Sequence, residues 1–195
     1  TAVEPPQKEL RRVTVSRAGE IGIVSVSHKA PSGLDADTHA FLTLTSVLGS
    51  GKTGRLYRAL TDKGLTSRVS MWDNMLHDSG LCQAYAYLTP GTGHEQVEKI
   101  IFQEYEKVRT EGITDEELSR AKETIRAATA FSRDGSYSVA ANLNEAIALG
   151  DWTFYTTFMD KISAVTSADV RRVAQTYLTD ERSTVGYFIP KHGAS

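Results

Sequence analysis

The apolar positions alternate in some segments of the chain and recur every three or four residues in others. Alternation at about 11–17 and 21–29 predicts two strands with a turn at 18–20 between them. Alternation at about 66–76 and 80–89 predicts an antiparallel pair across a turn at 77–80. The last of these strands has a side of mostly small residues and a side of larger ones. The first side has Cys82, Ala84, Ala86 and Leu88, and the second has Leu81, Gln83, Tyr85 and Tyr87. We expect a helix to pack closely on the small side.

Helical spacing dominates the rest of the chain. It predicts a helix at about 35–48 and a second at about 53–63, which ends at Gly64. Thr114 and Glu117 form a capping box, which predicts that a helix begins there. The other predicted elements are a helix ending at Gly112 with Val97, Ile100, Ile101, Tyr105 and Val108 on one face, helices at about 136–149 and 152–163, a helix opened by Thr166 and Asp169, and a strand at 184–189.

Strands and helices therefore come in blocks and do not alternate along the chain. This order predicts an α+β fold, in which a mostly antiparallel sheet has helices packed on one face. Glu4-Pro5-Pro6-Gln7 predicts an extended inter-domain linker at 1–10, since proline has no N–H and disfavours helix at the preceding residue. We expect residues 11–195 to form a single domain.

Composition excludes several classes of partner. The 195 residues are 40% hydrophobic and 24% charged, with a formal net charge of −2. The two signs are mixed and no basic stripe occurs, so we expect no nucleic-acid partner. No apolar run has membrane-spanning length, so we expect no membrane partner. The chain begins at Thr1 without an initiator Met, and we expect it to be a piece of a longer protein.

The Gly-Ser-Gly-Lys-Thr segment at 49–53 contains part of a phosphate-binding motif. That motif needs a glycine with four residues between it and the Gly-Lys pair, where this chain has Ser46, and a buried strand leading into the loop. The residues leading in have helical spacing: Phe41, Leu42, Leu44, Val47 and Leu48. We therefore interpret the segment as a glycine-rich break between two helices.

No residue pattern provides a complete active site. His94-Glu95 begins like a helical zinc motif, but Glu98 replaces the second histidine, and the first turn of a helix favours acidic residues anyway. We expect His28 and His192 to be solvated and His39 to be packed or half-exposed. No nucleophile-elbow sequence surrounds a serine. Cys82 is the single cysteine, which excludes a disulfide within the chain, and we expect it to be a small core residue.

Several short motifs together resemble the second half of the pitrilysin (insulinase) family of zinc peptidases. The resemblance covers essentially the whole chain, with its landmarks in the family's order. They are Glu4-Pro5-Pro6-Gln7, Arg11-Arg12-Val13, Pro31, Asp35 and Asp37, Leu48-Gly49, Gly54-Arg55-Leu56-Tyr57, Leu60, Gly64-Leu65, Gly112-Ile113-Thr114, Glu117-Leu118, Ala121-Lys122, Asp160 to Thr166, and Asp169-Val170.

The resemblance implies one of two homologous halves that close around an unfolded peptide. In this family the N-terminal half carries an inverted zinc motif, His-x-x-Glu-His, which this sequence lacks. The implied partners are the N-terminal catalytic half or a partner subunit, together with an extended peptide substrate. No cofactor is expected in this chain, and zinc is expected in the N-terminal half of the parent protein.

Active family members also place an arginine and a tyrosine in this half to hold the substrate carbonyl. Alignment on Leu60 and Gly64-Leu65 puts these positions on Thr61 and Ser67, so both side chains are missing. Arg58 and Arg68 are the remaining candidates for substrate binding.

Two functions fit this pattern. The first is the inactive C-terminal domain of a zinc-dependent metalloendopeptidase, which would enclose the peptide and position it against the zinc. The second is a non-proteolytic binding or assembly module of the same family, which the missing arginine and tyrosine favour. The resemblance also implies a periplasmic location, because bacterial relatives are commonly exported.

Overall fold

The computed structural model describes residues 7–191 and contains one sheet with a layer of helices. The strands are β1 Arg11–Ala18, β2 Ile23–Lys29, β3 Thr66–Asp73, β4 Leu81–Leu88 and β5 Ser183–Lys191. The helices are α1 Thr38–Gly49, α2 His94–Glu111, α3 Asp115–Ser132, α4 Ser136–Leu149, α5 Thr153–Ala164 and α6 Ser167–Tyr177. Residues 1–6 of the predicted linker lie outside the described residues, and the domain boundary stays a prediction.

The sheet has the strand order β1-β5-β2-β4-β3. The pairs β2/β4, β2/β5 and β3/β4 are antiparallel, and the pair β1/β5 is parallel. The predicted α+β class with a mostly antiparallel sheet is confirmed. The strands β1 and β2 follow each other in sequence but do not pair, because the last strand of the chain inserts between them.

Helices α1 and α2 pack on one face of the sheet, where α1 contacts β3 and α2 contacts β2, and the small residues of β4 belong to the same buried core. Ala84 and Ala86 are fully buried under this layer, as are Ile101 and Tyr105 of α2. Helix α6 contacts both α1 and α2, α3 and α5 contact α1, and α4 contacts α5 and α3 at the outside. Burying each large apolar side chain in this core contributes about 1.5–3 kcal/mol.

The helix starts agree with the predicted caps. The Glu117 N–H donates to the Thr114 hydroxyl at 3.2 Å, and the Thr114 N–H donates to the Glu117 carboxylate at 3.0 Å. Thr166 and Asp169 repeat this arrangement at the start of α6. Both reciprocal caps satisfy N–H groups that the first helical turn leaves without partners.

The segment after α1 differs from the predicted second helix at 53–63. A 3-10 turn at Gly51–Thr53 is followed by a π-helical turn at Tyr57–Thr61. The N–H groups of Asp62 and Leu65 donate to carbonyls five residues earlier, at 2.9 and 3.0 Å. Leu56 and Leu60, four residues apart, are both fully buried in this wider turn. Apolar spacing of four residues fits an α-helix equally well, so the pattern did not distinguish the two.

The glycine-rich segment 49–53 follows a helix, as the sequence predicted, and not a strand. A Cβ atom on Gly49 would lie 2.6 Å from the Cβ and 2.9 Å from the backbone nitrogen of Met71. Such distances are closer than van der Waals contact permits, so glycine lets the end of α1 approach β3.

Candidate functional site

The second face of the sheet is not covered by helices, and every side chain on it is exposed or only partly buried. We call this surface the open face. The cross-strand register places its members on one side of four neighbouring strands. They are Ile23, Ser25 and Ser27 of β2, Arg68, Ser70 and Trp72 of β3, Leu81, Gln83, Tyr85 and Tyr87 of β4, and Thr184, Gly186 and Phe188 of β5.

Aromatic side chains dominate one part of the open face. The rings of Trp72 and Tyr85 stack with centroids 4.9 Å apart and an interplanar angle of 11°. Trp72 remains 39% exposed and Leu81 45% exposed. Large apolar groups exposed on a broad surface are typical of a region that contacts another molecule.

Arg68 lies on the open face, at the register position opposite Tyr87. An irregularity in β3 between Thr66 and Arg68 turns Ser67 out of the regular alternation, and its hydroxyl donates to the Tyr87 carbonyl at 3.3 Å. From Arg68 onwards the alternation in β3 is regular, so Trp72 shares the face of Arg68, which is the signal that could have identified it.

The other three positions from the sequence are Arg58 and Thr61, which lie on the π-helical turn, and Ser67, which lies near the start of β3. Arg58 is exposed on that turn. The Thr61 hydroxyl hydrogen-bonds the Thr66 hydroxyl at 2.8 Å, which ties the turn to the start of β3. Thr61 and Ser67 thus make local hydrogen bonds, and neither carries a charged or phenolic group that could hold a carbonyl oxygen.

The covered face contains an unexpected group of polar residues, and the prediction that His28 is solvated is wrong. His28 is only 1% exposed, and its ring lies edge-on to Tyr105 with centroids 5.6 Å apart. Burial lowers the pKa of His28 from 6.5 to about 4. An interaction with the Thr179 backbone would raise the pKa of His28. Within residues 7–191, however, neither ring nitrogen makes a hydrogen bond of good geometry, so burial sets the direction of the pKa shift. The alternation in β2 places His28 on the same side as Val24 and Val26, which was the missed signal.

Cys82 and Asp73 are the cross-strand neighbours of this histidine. Cys82 pairs in register with His28 on one side and Asp73 on the other. Cys82 is buried, as predicted, and burial raises the pKa of its thiol, so the reactive thiolate is disfavoured. Burial also raises the pKa of Asp73 to about 6. The histidine and the thiol are neutral at pH 7, while Asp73 is still largely ionised, so the group lacks a reactive thiolate and is a polar part of the core.

The remaining histidines have structural environments. The His94 ring bonds the Phe188 carbonyl at 2.8 Å at the start of α2, in agreement with a structural role. His39 is buried against Phe154 and Phe158, as a packed histidine, and burial lowers its pKa to about 4. His192 lies outside the described residues.

Residues 7–191 contain neither a cluster of metal ligands nor a membrane-spanning helix. In this range no three side chains of histidine, cysteine, aspartate or glutamate come together as a possible metal site. No helix in the same range combines the length and the apolar character needed to cross a membrane.

A comparison with family models identifies the fold. The model described as the peptidase M16 inactive domain matches residues 2–125. The chain belongs to this family. The resemblance inferred from short motifs is therefore confirmed.

The M16 inactive domain has relatives named as zinc proteases. The chain is 27% identical over 189 residues to zinc protease PqqE of Helicobacter pylori, covering 96% of the chain and 43% of that protein. It is 23% identical over 186 residues to the uncharacterized zinc protease YmxG of Bacillus subtilis, covering 93% of the chain and 44% of that protein. The chain thus spans less than half the length of the curated relatives it matches.

Solved structures show the same domain. A protease from Helicobacter pylori superposes with a TM-score of 0.90 at 26% identity, covering 95% of this chain and 46% of that one. An inactive peptidase domain from Bordetella parapertussis superposes with a TM-score of 0.83 at 27% identity, covering 93% of this chain and 97% of that one. The M16 inactive domain thus occurs both within a chain about twice as long and in a chain of its own size.

Proposed function

We propose that this M16 inactive domain is the non-catalytic half of a zinc metalloendopeptidase, and that its open face encloses and positions an extended peptide. The proposal rests on the asymmetry of the sheet. Helices cover one face, and within residues 7–191 no protein layer covers the open face. The relatives named as zinc proteases are more than twice as long, which supports a second half opposite this face.

The open face offers a peptide two kinds of contact. The stacked Trp72 and Tyr85 rings provide a flat apolar surface for substrate side chains. Strand β3 is the last strand of the described sheet on that side, so its outer backbone groups suit an extended peptide that adds as a further strand. Together these contacts would fix the direction of a bound peptide and its distance from the open face.

Arg68 is the stronger of the two arginine candidates. It shares the open face with Tyr87 and Trp72, whereas Arg58 lies on the preceding turn. A guanidinium at this position can donate to a peptide carbonyl through a planar fork. We therefore assign Arg68 to substrate positioning and regard Arg58 as the secondary candidate.

Residues 7–191 do not offer a site for a zinc ion, because no three histidine, cysteine, aspartate or glutamate side chains come together there. In zinc peptidases the metal polarises the scissile carbonyl and activates a water molecule. We propose that the other half or a partner subunit holds the zinc, while this chain binds, orients and shields the peptide.

A binding or assembly module without proteolysis is the second candidate. It is favoured by Thr61 and Ser67, which replace the arginine and tyrosine expected in active members. The periplasm remains our proposed location, on the resemblance alone, and fractionation of the native cells would test it.

The test uses the full reading frame and quenched-fluorescence peptides without secondary structure. We expect Trp72→Ser and Arg68→Gln each to reduce kcat/KM by about tenfold, mainly through KM, since stacking and a charge-assisted hydrogen bond contribute about 1–2 kcal/mol each.

Matched controls are Trp152→Ser and Arg126→Gln, which change exposed side chains on the helical side. The peptide-positioning role is contradicted if the open-face variants cleave as fast as these controls. Intact folding of the full protein with no peptide cleavage would instead favour the assembly module.

A further inference from the structure

A cavity of about 320 Å³ lies between α3, α4 and α5, away from the open face. Its apolar wall is formed by Ile125, Ala128, Leu149, Phe154, Tyr155 and Phe158. Cavities of this size that are lined mainly by apolar and aromatic side chains are typical of sites for small ligands.

One cation lines this cavity and has an unused donor. The Arg133 Nη2 donates to the Tyr155 carbonyl at 2.6 Å, and the guanidinium carbon lies 4.4 Å from the centroid of the Tyr155 ring. The Nε–H is buried and has no hydrogen-bond partner within the part of the chain that the structure describes. The buried Nε is out of reach of a molecule in the cavity, but Nη1 makes no hydrogen bond within residues 7–191 and is not among the buried atoms, so it is the donor that a ligand can reach.

The hydroxyl and amide donors on the wall are already engaged. The Thr129 hydroxyl donates to the Ile125 carbonyl at 2.8 Å, and the Ser132 hydroxyl donates to the Thr129 carbonyl at 2.9 Å. The Asn142 amide donates to the Ser132 carbonyl at 2.6 Å. The cavity therefore presents one charged donor at one place and hydrocarbon over most of its remaining wall.

We propose that this cavity binds a monocarboxylic acid with an unbranched apolar chain of medium length. Its carboxylate accepts a charge-assisted hydrogen bond from Arg133 Nη1, and its chain lies against the aromatic wall. Glu145 also lines the cavity, but it is exposed and solvent screens its charge. Arg133 is the cavity-lining residue that can neutralise the bound acid.

A peptide fits this cavity less well than a free acid. The backbone of a peptide would bring several N–H and C=O groups into the site, and the hydroxyl and amide donors of Thr129, Ser132 and Asn142 are already occupied. Those peptide groups would lose their hydrogen bonds to water without replacement. A ligand with a single polar end avoids this cost. This inference does not depend on peptidase activity.

The test is calorimetric titration of the 195-residue chain with decanoate, and in parallel with decanol and an apolar peptide that ends in leucine. We expect saturable binding of one decanoate per chain. Arg133→Gln should weaken decanoate at least about tenfold, as expected for a hydrogen bond to a charged group, and leave the weaker decanol binding unchanged.

A second pair of variants tests the position of the binding site without changing Arg133. Ala128→Trp should fill the cavity and abolish decanoate binding, whereas Ala127→Trp, on the same helix but outside the cavity wall, should not. Melting temperatures verify that both variants fold. The proposal is overturned if decanoate does not saturate, if Ala128→Trp binds it normally, or if the leucine peptide binds more tightly than decanoate.

Discussion

Acidification from about pH 7.5 to about pH 4.5 is expected to remove about 2–3 kcal/mol of stability through His28 alone. The unfolded chain takes up a proton on this ring as the pH falls through 6.5, whereas the buried ring resists protonation until about pH 4. The unfolded state therefore binds more protons in this window, and the free energy of unfolding falls with pH. His39 acts in the same direction.

Urea denaturation of the wild type and of His28→Leu across this range measures the effect. The variant should lose about 2–3 kcal/mol less than the wild type on acidification, because it has no ring to protonate. Asp73 opposes the trend, since its carboxyl has a pKa of about 6 and gains a proton as the pH falls, but this contribution is common to both proteins.

The control for this experiment is His77→Gln, which changes an exposed histidine with a side chain 68% accessible. Its pH profile should follow the wild type. Parallel profiles of wild type and His28→Leu would show that the His28 ring is protonated in the folded chain, and the buried neutral assignment would be wrong.

Glu117→Gln is expected to lower the free energy of unfolding at neutral pH by about 2–3 kcal/mol. The Arg55 guanidinium donates from Nε and Nη2 to the two oxygens of Glu117, both at 2.8 Å, and also reaches the Gly112 carbonyl. Both side chains are about 15% exposed or less, so solvent screens the pair only partly. Glutamine keeps the cap on α3 but removes the charge.

The pH dependence gives this prediction a second readout. Hydrogen bonds from Arg55 lower the pKa of Glu117 from 4.5 to about 2. The stabilisation is fully present above pH 4.5 and disappears as the pH falls towards 2, so the difference between wild type and variant should shrink over that interval.

The neighbouring Glu116→Gln is the matched control. Glu116 pairs with Arg120 on the same helix, but its side chain is 81% exposed, and such pairs contribute less than about 1 kcal/mol. Equal effects of the two substitutions at neutral pH would contradict the special role of the Arg55–Glu117 pair in holding the π-helical turn to α3.

The sequence predicted most of the fold because most elements carry strong local signals. The period-two pattern of β4 and the capping box at Thr114 correctly assigned a strand with one small face and the start of a long helix. The pairing of β1 with β5 was not predictable in this way, because it joins segments at opposite ends of the chain. The π-helical turn was missed because its buried leucines have the spacing of an α-helix.

The candidate site was predicted less completely than the fold. The alternation of Tyr85 and Tyr87 indicates the aromatic side of β4, but the stacking of Trp72 on Tyr85 depends on the register between β3 and β4, which the sequence alone does not give. The alternation in β2 also indicates that His28 is buried, whereas its place at the end of the strand suggested that it is solvated. No sequence pattern marks Arg133 as a binding residue, because the cavity that it lines forms only where three helices meet.

We propose that this chain is a substrate-positioning half and that the zinc is held elsewhere. Metal analysis and peptide cleavage, measured after dialysis on the 195-residue chain and on the full protein with and without a chelator, test it most directly. We expect the chain alone to hold no stoichiometric zinc and to cleave no peptide, and the full protein to cleave until the chelator is added. About one zinc per isolated chain, or cleavage by that chain alone, would contradict the claim.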